Sequence, residues 1–196
     1  LKEKTMEQQP PTIELAGVRL RPLRLQDADS WHAYLSDPRV TGLTSYPEMS
    51  LAAVGSMIES RRKSFAAGLS CKWAIALQSD DTLIGTCGFN EWSRTHGWAE
   101  LAYELARPYW GHGFAAQAVV ACLRWAFTDG GFIRVHAFVM VGNVRSERVL
   151  ERAHFTREGC LRSYRLCRGR PRDFSVFSIL RPEWEDLACA GNERTS

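Results

Sequence analysis

The residues able to do chemistry in this chain concentrate between positions 100 and 116. The stretch "YWGHGFAAQAVVACLRWAF", residues 109–127, sets Gly111 and Gly113 directly ahead of a long apolar run. Glycine lacks a Cβ, so its backbone adopts dihedrals closed to other residues and can lie close to a ligand. A helix starting there leaves its first-turn amides unpaired at the positive end of the helix dipole, where a phosphate is the natural occupant. A plain strand-to-helix turn accounts for the same glycines on spacing alone. The neighbouring residues narrow the chemistry: no Gly-Lys-Ser/Thr follows, as a P-loop requires, and Ala116 breaks the G-x-G-x-x-G dinucleotide pattern.

Upstream stand two carboxylates, Glu100 and Glu104. In a strand over residues 99–106, alternation places Glu100, Ala102, Glu104 and Ala106 on one face and Ala99, Leu101, Tyr103 and Leu105 on the other. Paired carboxylates beside an anion-binding turn can relieve a nucleophile of its proton; a solvated strand face explains the pair equally well. His112 and His136 are bases by chemistry, although a lone histidine in a loop or strand commonly has a packing role. The aromatics Trp31, Tyr46, Trp73, Trp92, Trp98 and Tyr109 read as core, with pocket walls as the alternative. The basic groups Arg61, Arg62 and Lys63, and Arg162, Arg165, Arg168, Arg170 and Arg172, read as solvated surface, with partner contact as the alternative.

Alternating and helical periodicities supply the elements that must position these groups. "VRLRPLRL" alternates as a half-solvated strand, Asp27 and Asp29 favour a helix start, and Pro38 stops that helix. Residues 51–67 space apolar side chains helically up to Gly68. Residues 70–106 turn to alternation, predicting a three-stranded antiparallel meander. The apolar helix to Thr128, a strand over 132–141, a helix N-capped by Asn143, and two closing strands around "CRGRP" follow. The sum is a mixed α/β fold. A flexible extension over 1–17, one domain over 18–184 and a loose tail over 185–196 complete the predicted organisation.

Composition sets outer bounds. A chain of 196 residues, 45% hydrophobic, can bury one substantial core. Its net charge of +3 is mild and disfavours a dedicated nucleic-acid binder while leaving anionic small ligands open. The six cysteines form no CxxC pair and no zinc-like group with the histidines, so a reduced, cytoplasmic protein without a metal is expected. No apolar run reaches membrane-spanning length, the polar start lacks a signal-peptide core, and Met6 is a candidate natural start.

"AELAYELARPYWGHGFAAQAV", the later "VGNVRSERVLERAHFTREG" and the element order together resemble the GNAT superfamily of N-acetyltransferases, and within it the RimJ/RimL-like, ribosomal-protein-alanine acetyltransferase branch, over about residues 18–184. The resemblance implies a central twisted mixed sheet of about seven strands, splayed at its centre and flanked by about four helices. It implies that "WGHGFA" binds the pyrophosphate of acetyl-CoA through amides around Gly111, His112, Gly113, Phe114, Ala115 and Ala116, with Trp110 where arginine or glutamine is usual. Backbone groups near Tyr103, Glu104 and Leu105 would pair with the pantetheine arm, and Asn143 would meet the cofactor or cap its helix.

The resemblance also raises Glu100 as the base, with Glu104 in reserve. The family's usual tyrosine acid is missing between 143 and 153, which leaves Ser146, a residue that also fits a capping role. The implied activity is acetyl transfer from acetyl-CoA to an amine, foremost a protein N-terminus, by direct attack in a ternary complex. A small-molecule amine acceptor and a non-catalytic acyl-CoA-binding module are the alternatives. Nucleic acid would enter only through a ribosomal partner, no membrane is implied, and monomer and homodimer are both open.

Overall fold

The computed structural model describes residues 9–192; Met6 and the last residues of the tail, 193–196, lie outside this range. Eight strands form one sheet: β1 Ile13–Glu14, β2 Val18–Pro22, β3 Cys71–Leu77, β4 Leu83–Ser93, β5 Trp98–Leu105, β6 Arg134–Met140, β7 Thr156–Cys167 and β8 Arg170–Leu180. Their spatial order is β1-β2-β3-β4-β5-β6-β8-β7. The helices are α1 Ala28–Leu35, α2 Pro38–Thr41, α3 Leu51–Ala66, α4 Phe114–Phe127, α5 Val144–Arg152 and α6 Arg181–Asn192. None of them is long and apolar enough to cross a membrane.

Both sheet faces are covered, which is why β3 is buried along almost its whole length. One face packs Trp73, Phe89, Leu101 and Val135 against the apolar side of α4, with Leu150 of α5 in the same cluster. The other packs Ala74, Leu83 and Ala106 against Trp31 and Tyr34 of α1 and Val54 and Ile58 of α3. Trp73 and Phe89 both meet the Trp125 ring of α4, at 5.3 and 5.8 Å between centroids, so the helix that follows the glycine turn is fixed in place by aromatic packing.

The sheet is antiparallel except at its centre. β5 and β6 run parallel and pair only over Trp98↔Arg134, Ala99↔Val135 and Glu100↔His136. Beyond Glu100 the two strands part, so the backbone of β5 from Leu101 onward has no ladder partner on its β6 side. This is the predicted splay.

Both chain ends depart from expectation. Residues 11–17 are held rather than flexible: β1 pairs with β2, the Trp73 indole donates to the Pro11 carbonyl at 2.8 Å, and the Ala16 amide donates to Gln117 Oε1 at 3.0 Å. A two-residue strand is too short to show a period. The segment after Pro182 forms α6 instead of a loose tail, with Trp184 packed 5.5 Å from Phe127. Pro182 is no breaker there, because the first helical turn needs no N–H from it.

Candidate functional site

Between β5 and α4 the chain makes a short 3-10 turn over Arg107–Tyr109 and then passes through Gly111 and Gly113, at φ of 85° and 81°. A Cβ on either glycine would touch nothing in the protein within 4 Å. Glycine is required by the left-handed backbone, and the space in front of it is open. Gly113 is the N-cap of α4 and supplies no side-chain cap, so the amides of Phe114, Ala115 and Ala116 remain free donors.

Those amides face a cavity of about 320 Å³ lined also by Tyr103, Glu104, Leu105, Asn143, Ser146 and Val149. A second cavity of about 200 Å³ lies on the other side of the splayed strand, lined by Glu100, Glu104, Tyr46, Asn90, Arg61 and Arg165. The two share Leu43, Thr44, Tyr103, Glu104, Asn143 and Ser146. Every site residue expected from sequence lines one or both, except the candidate bases His112 and His136. The His112 side chain is exposed, stacks on Phe114 at 5.7 Å, and meets the Trp110 carbonyl through Nδ1 at 3.1 Å.

Glu100 and Glu104 do share a face, and it is buried rather than solvated: they are 6% and 8% exposed. Glu104 Oε1 accepts from the Thr86 hydroxyl and lies 3.4 and 3.5 Å from the hydroxyls of Tyr34 and Tyr46. Burial, and then the Glu104 charge, pushes both phenols up, so they stay protonated and serve as donors. Glu100 Oε1 accepts from Asn90 Nδ2 at 2.9 Å and from Arg165 at 3.3 Å. On the same face Lys72 is buried and donates to the Ala102 carbonyl at 3.0 Å; desolvation pushes its pKa down.

Beside both cavities, Asn143 caps α5 by accepting from the Ser146 amide at 3.3 Å. The cap uses Oδ1, which leaves Nδ2 to donate to a ligand. The Ser146 hydroxyl lies 2.7 Å from the Tyr103 hydroxyl, which also meets the Ser146 carbonyl at 2.9 Å. Burial pushes the Tyr103 phenol up, so it holds its proton and positions Ser146.

Three site features escaped the sequence. Trp110 donates its indole N–H to the Leu105 carbonyl at 2.7 Å, closing the end of β5, and carries the Arg145 guanidinium 4.6 Å above its ring. Of the basic turn, Arg165 reaches inward to Glu100, while Arg168 stays exposed and donates to Thr41 Oγ1 at 2.5 Å. Arg61 of the basic run on α3 lines the second cavity as well. His136 lies between the rings of Trp98 and Phe138, at 5.2 and 5.3 Å, and lines neither cavity; burial lowers its pKa.

This geometry, an amide cradle and a split parallel pair, is matched by known proteins. Residues 18–156 match the model of the acetyltransferase (GNAT) domain. The Bacillus licheniformis protein named "Uncharacterized N-acetyltransferase p20" is 35% identical over 176 residues, covering 88% of this chain and 98% of its own. The [ribosomal protein uS5]-alanine N-acetyltransferase of Escherichia coli is 30% identical over 84 residues, 43% of each chain. In fold, the structure titled RimL, a ribosomal L7/L12 alpha-N-protein acetyltransferase in complex with coenzyme A, superposes with a TM-score of 0.81 at 19% identity, covering 88% of this chain and 99% of its own. The ribosomal-protein-S5-alanine acetyltransferase of Vibrio fischeri superposes with a TM-score of 0.78 at 20% identity, over 89% and 99%. With a family model spanning most of its length and a relative aligned over 98% of its own length, this chain belongs to the GNAT acetyltransferase family and is an acyltransferase.

Proposed function

We propose that the enzyme transfers an acetyl group from acetyl-CoA to a protein N-terminal α-amine by direct attack in a ternary complex. The observation that carries this reading is the meeting of two cavities at one unpaired stretch of strand. One is walled by the free amides of α4 and the other by buried carboxylates, and they join at Tyr103, Glu104, Asn143 and Ser146. A donor and an acceptor entering from opposite sides would touch there without a covalent enzyme intermediate.

The protein supplies each part of the chemistry. The amides of Phe114, Ala115 and Ala116 would hold the pyrophosphate, and the unpaired β5 backbone near residues 103–105 would bond the pantetheine amides as an added strand does. A β5 N–H at the splay would polarise the thioester carbonyl. Glu100 would take the proton of the attacking amine, directly or through water, with Glu104 the other carboxylate within reach. Ser146 Oγ would donate a hydrogen bond to the departing thiolate, whose reference pKa of about 8.5 asks for little more.

An N-terminal amine suits a single carboxylate base, since its reference pKa is about 7.7–8.0 against about 10.4 for lysine. The names of the ribosomal-protein relatives point the same way. The test is thiol release from acetyl-CoA with a panel of peptides bearing free N-termini set against polyamines and lysine side chains. Turnover confined to free N-termini is expected; turnover of small amines alone would move the acceptor class.

A further inference from the structure

Four strands converge on one guanidinium. Arg165 of β7 places its Cζ 5.3, 5.1 and 5.4 Å from the ring centroids of Phe138 on β6, Tyr164 on β7 and Phe174 on β8, and its NH2 is 3.3 Å from Glu100 Oε1 on β5. The rings touch one another, Phe138 to Tyr164 at 4.9 Å and Tyr164 to Phe174 at 5.9 Å. Aromatic faces attract cations out to about 6 Å, and a buried carboxylate completes the recognition of a positive group. Glu100, Phe138, Phe174 and Arg165 all line the acceptor-side cavity.

We infer that this is the seat of the acceptor's ammonium group, that Arg165 occupies it as a stand-in while no acceptor is bound, and that the incoming cation displaces Arg165. The inference rests on the amine-acetylation reading and adds to it how the amine is recognised and what it must push aside. A carboxylate buried without a cation is costly. Exchange of one cation for another keeps Glu100 paired throughout binding, and it selects acceptors that arrive protonated.

The hold of Glu100 on Arg165 is weak by comparison with the two-pronged arginine–carboxylate pairs of Arg21 and Arg134. Arg21 grips Asp27 through two nitrogens at 2.9 and 2.8 Å, and Arg134 grips Glu158 at 2.7 and 2.5 Å. Arg165 makes one contact at 3.3 Å, on an oxygen already bonded to Asn90, and its side chain is 29% exposed. The β7–β8 ladder is interrupted between Leu161 and Arg165, so no cross-strand pair fixes the residues just before the seat. An arginine stays charged across the working pH range, so displacement is its way out.

Arg165→Met keeps the apolar length against the rings and removes the charge. The Michaelis constant for a free-N-terminus peptide should fall roughly fivefold, the factor one such cation–π contact corresponds to. Millimolar methylguanidinium should then protect the variant in thermal melts and compete with the peptide, while doing neither to wild type. An unchanged or raised Michaelis constant, or a variant indifferent to methylguanidinium, overturns the inference. Wild-type protein labelled at arginine gives a readout that no variant's folding can spoil. The Arg165 Nε–Hε resonance should move on titration with the peptide in the presence of CoA and stay fixed with its N-acetylated form. A fixed resonance in an enzyme that acetylates peptides sinks the inference alone. A wild type that releases no thiol with any amine sinks the acetyl-transfer reading, and methylguanidinium binding to Arg165→Met still decides the seat.

Discussion

Trp110 and Arg145 meet at the wall of the cavity beside the glycine turn. The indole closes the last carbonyl of β5 and offers its face to a guanidinium that comes from α5, so the positive charge reaches the same cavity from the opposite wall. Arg148 and Arg152 continue that basic stripe along the cavity at helical spacing. Arg145→Ala should raise the Michaelis constant for acetyl-CoA about two- to fivefold and leave kcat unchanged, as expected for one screened cation. Trp110→Ala should do more, because it removes the platform and strips the Leu105 carbonyl of its partner. The carboxylates separate by a different measurement. Glu100→Gln should lower kcat about a hundredfold with acetyl-CoA binding intact, the usual size of a lost general base. Glu104→Gln should show first in thermal melts, since three hydroxyls converge on that carboxylate.

At the scale of elements, the sequence disclosed what periodicity and end signals can carry. The β3–β5 meander, the apolar α4 and the Asn143-capped α5 were legible because strand alternation, an all-round apolar helix and an asparagine cap are local properties. The burial of Glu100 and Glu104 was not, since alternation assigns a face and only distant partners, Arg165 of β7 over Glu100 and Tyr34 of α1 over Glu104, cover it. Arg165 and Arg168 were hidden for the same reason: their partners lie 65 and 127 residues away. β1 and α6 were missed because one is too short for a period and the other begins with a proline in its first turn. α5 also permits an element-level test. Asn143 caps the helix through Oδ1 and lines both cavities, so Asn143→Ala should cost about 1 kcal/mol of stability by the cap alone. Asn143→Ser, which restores the cap without the amide, should recover the melting temperature and leave any loss of acetyl-CoA affinity in place.

At the scale of the whole molecule, the sheet is two halves joined by three parallel residue pairs, and the far half must hold its own shape for the cavity beside Glu100 to persist. A charged tie spans that half. Arg134 of β6 reaches across β8 to Glu158 of β7, and Ser178 of β8 donates to the same carboxylate at 2.7 Å. The Arg134 hydrogen bonds, then that of Ser178, hold the Glu158 carboxyl down to about 2, below the unfolded reference of about 4.3. The folded protein therefore binds fewer protons here than the unfolded chain does. The contribution is complete above about pH 4.3 and is lost as the pH falls toward about 2. Glu158 is 39% exposed, so water and salt screen the pair and its share of total stability is modest. Glu158→Gln should melt below wild type at pH 7, and the gap should narrow through that acid window and close beneath it. Added salt at pH 7 should shrink the gap as well. A gap that ignores both pH and salt would assign the tie's value to packing of the three strands rather than to its charge.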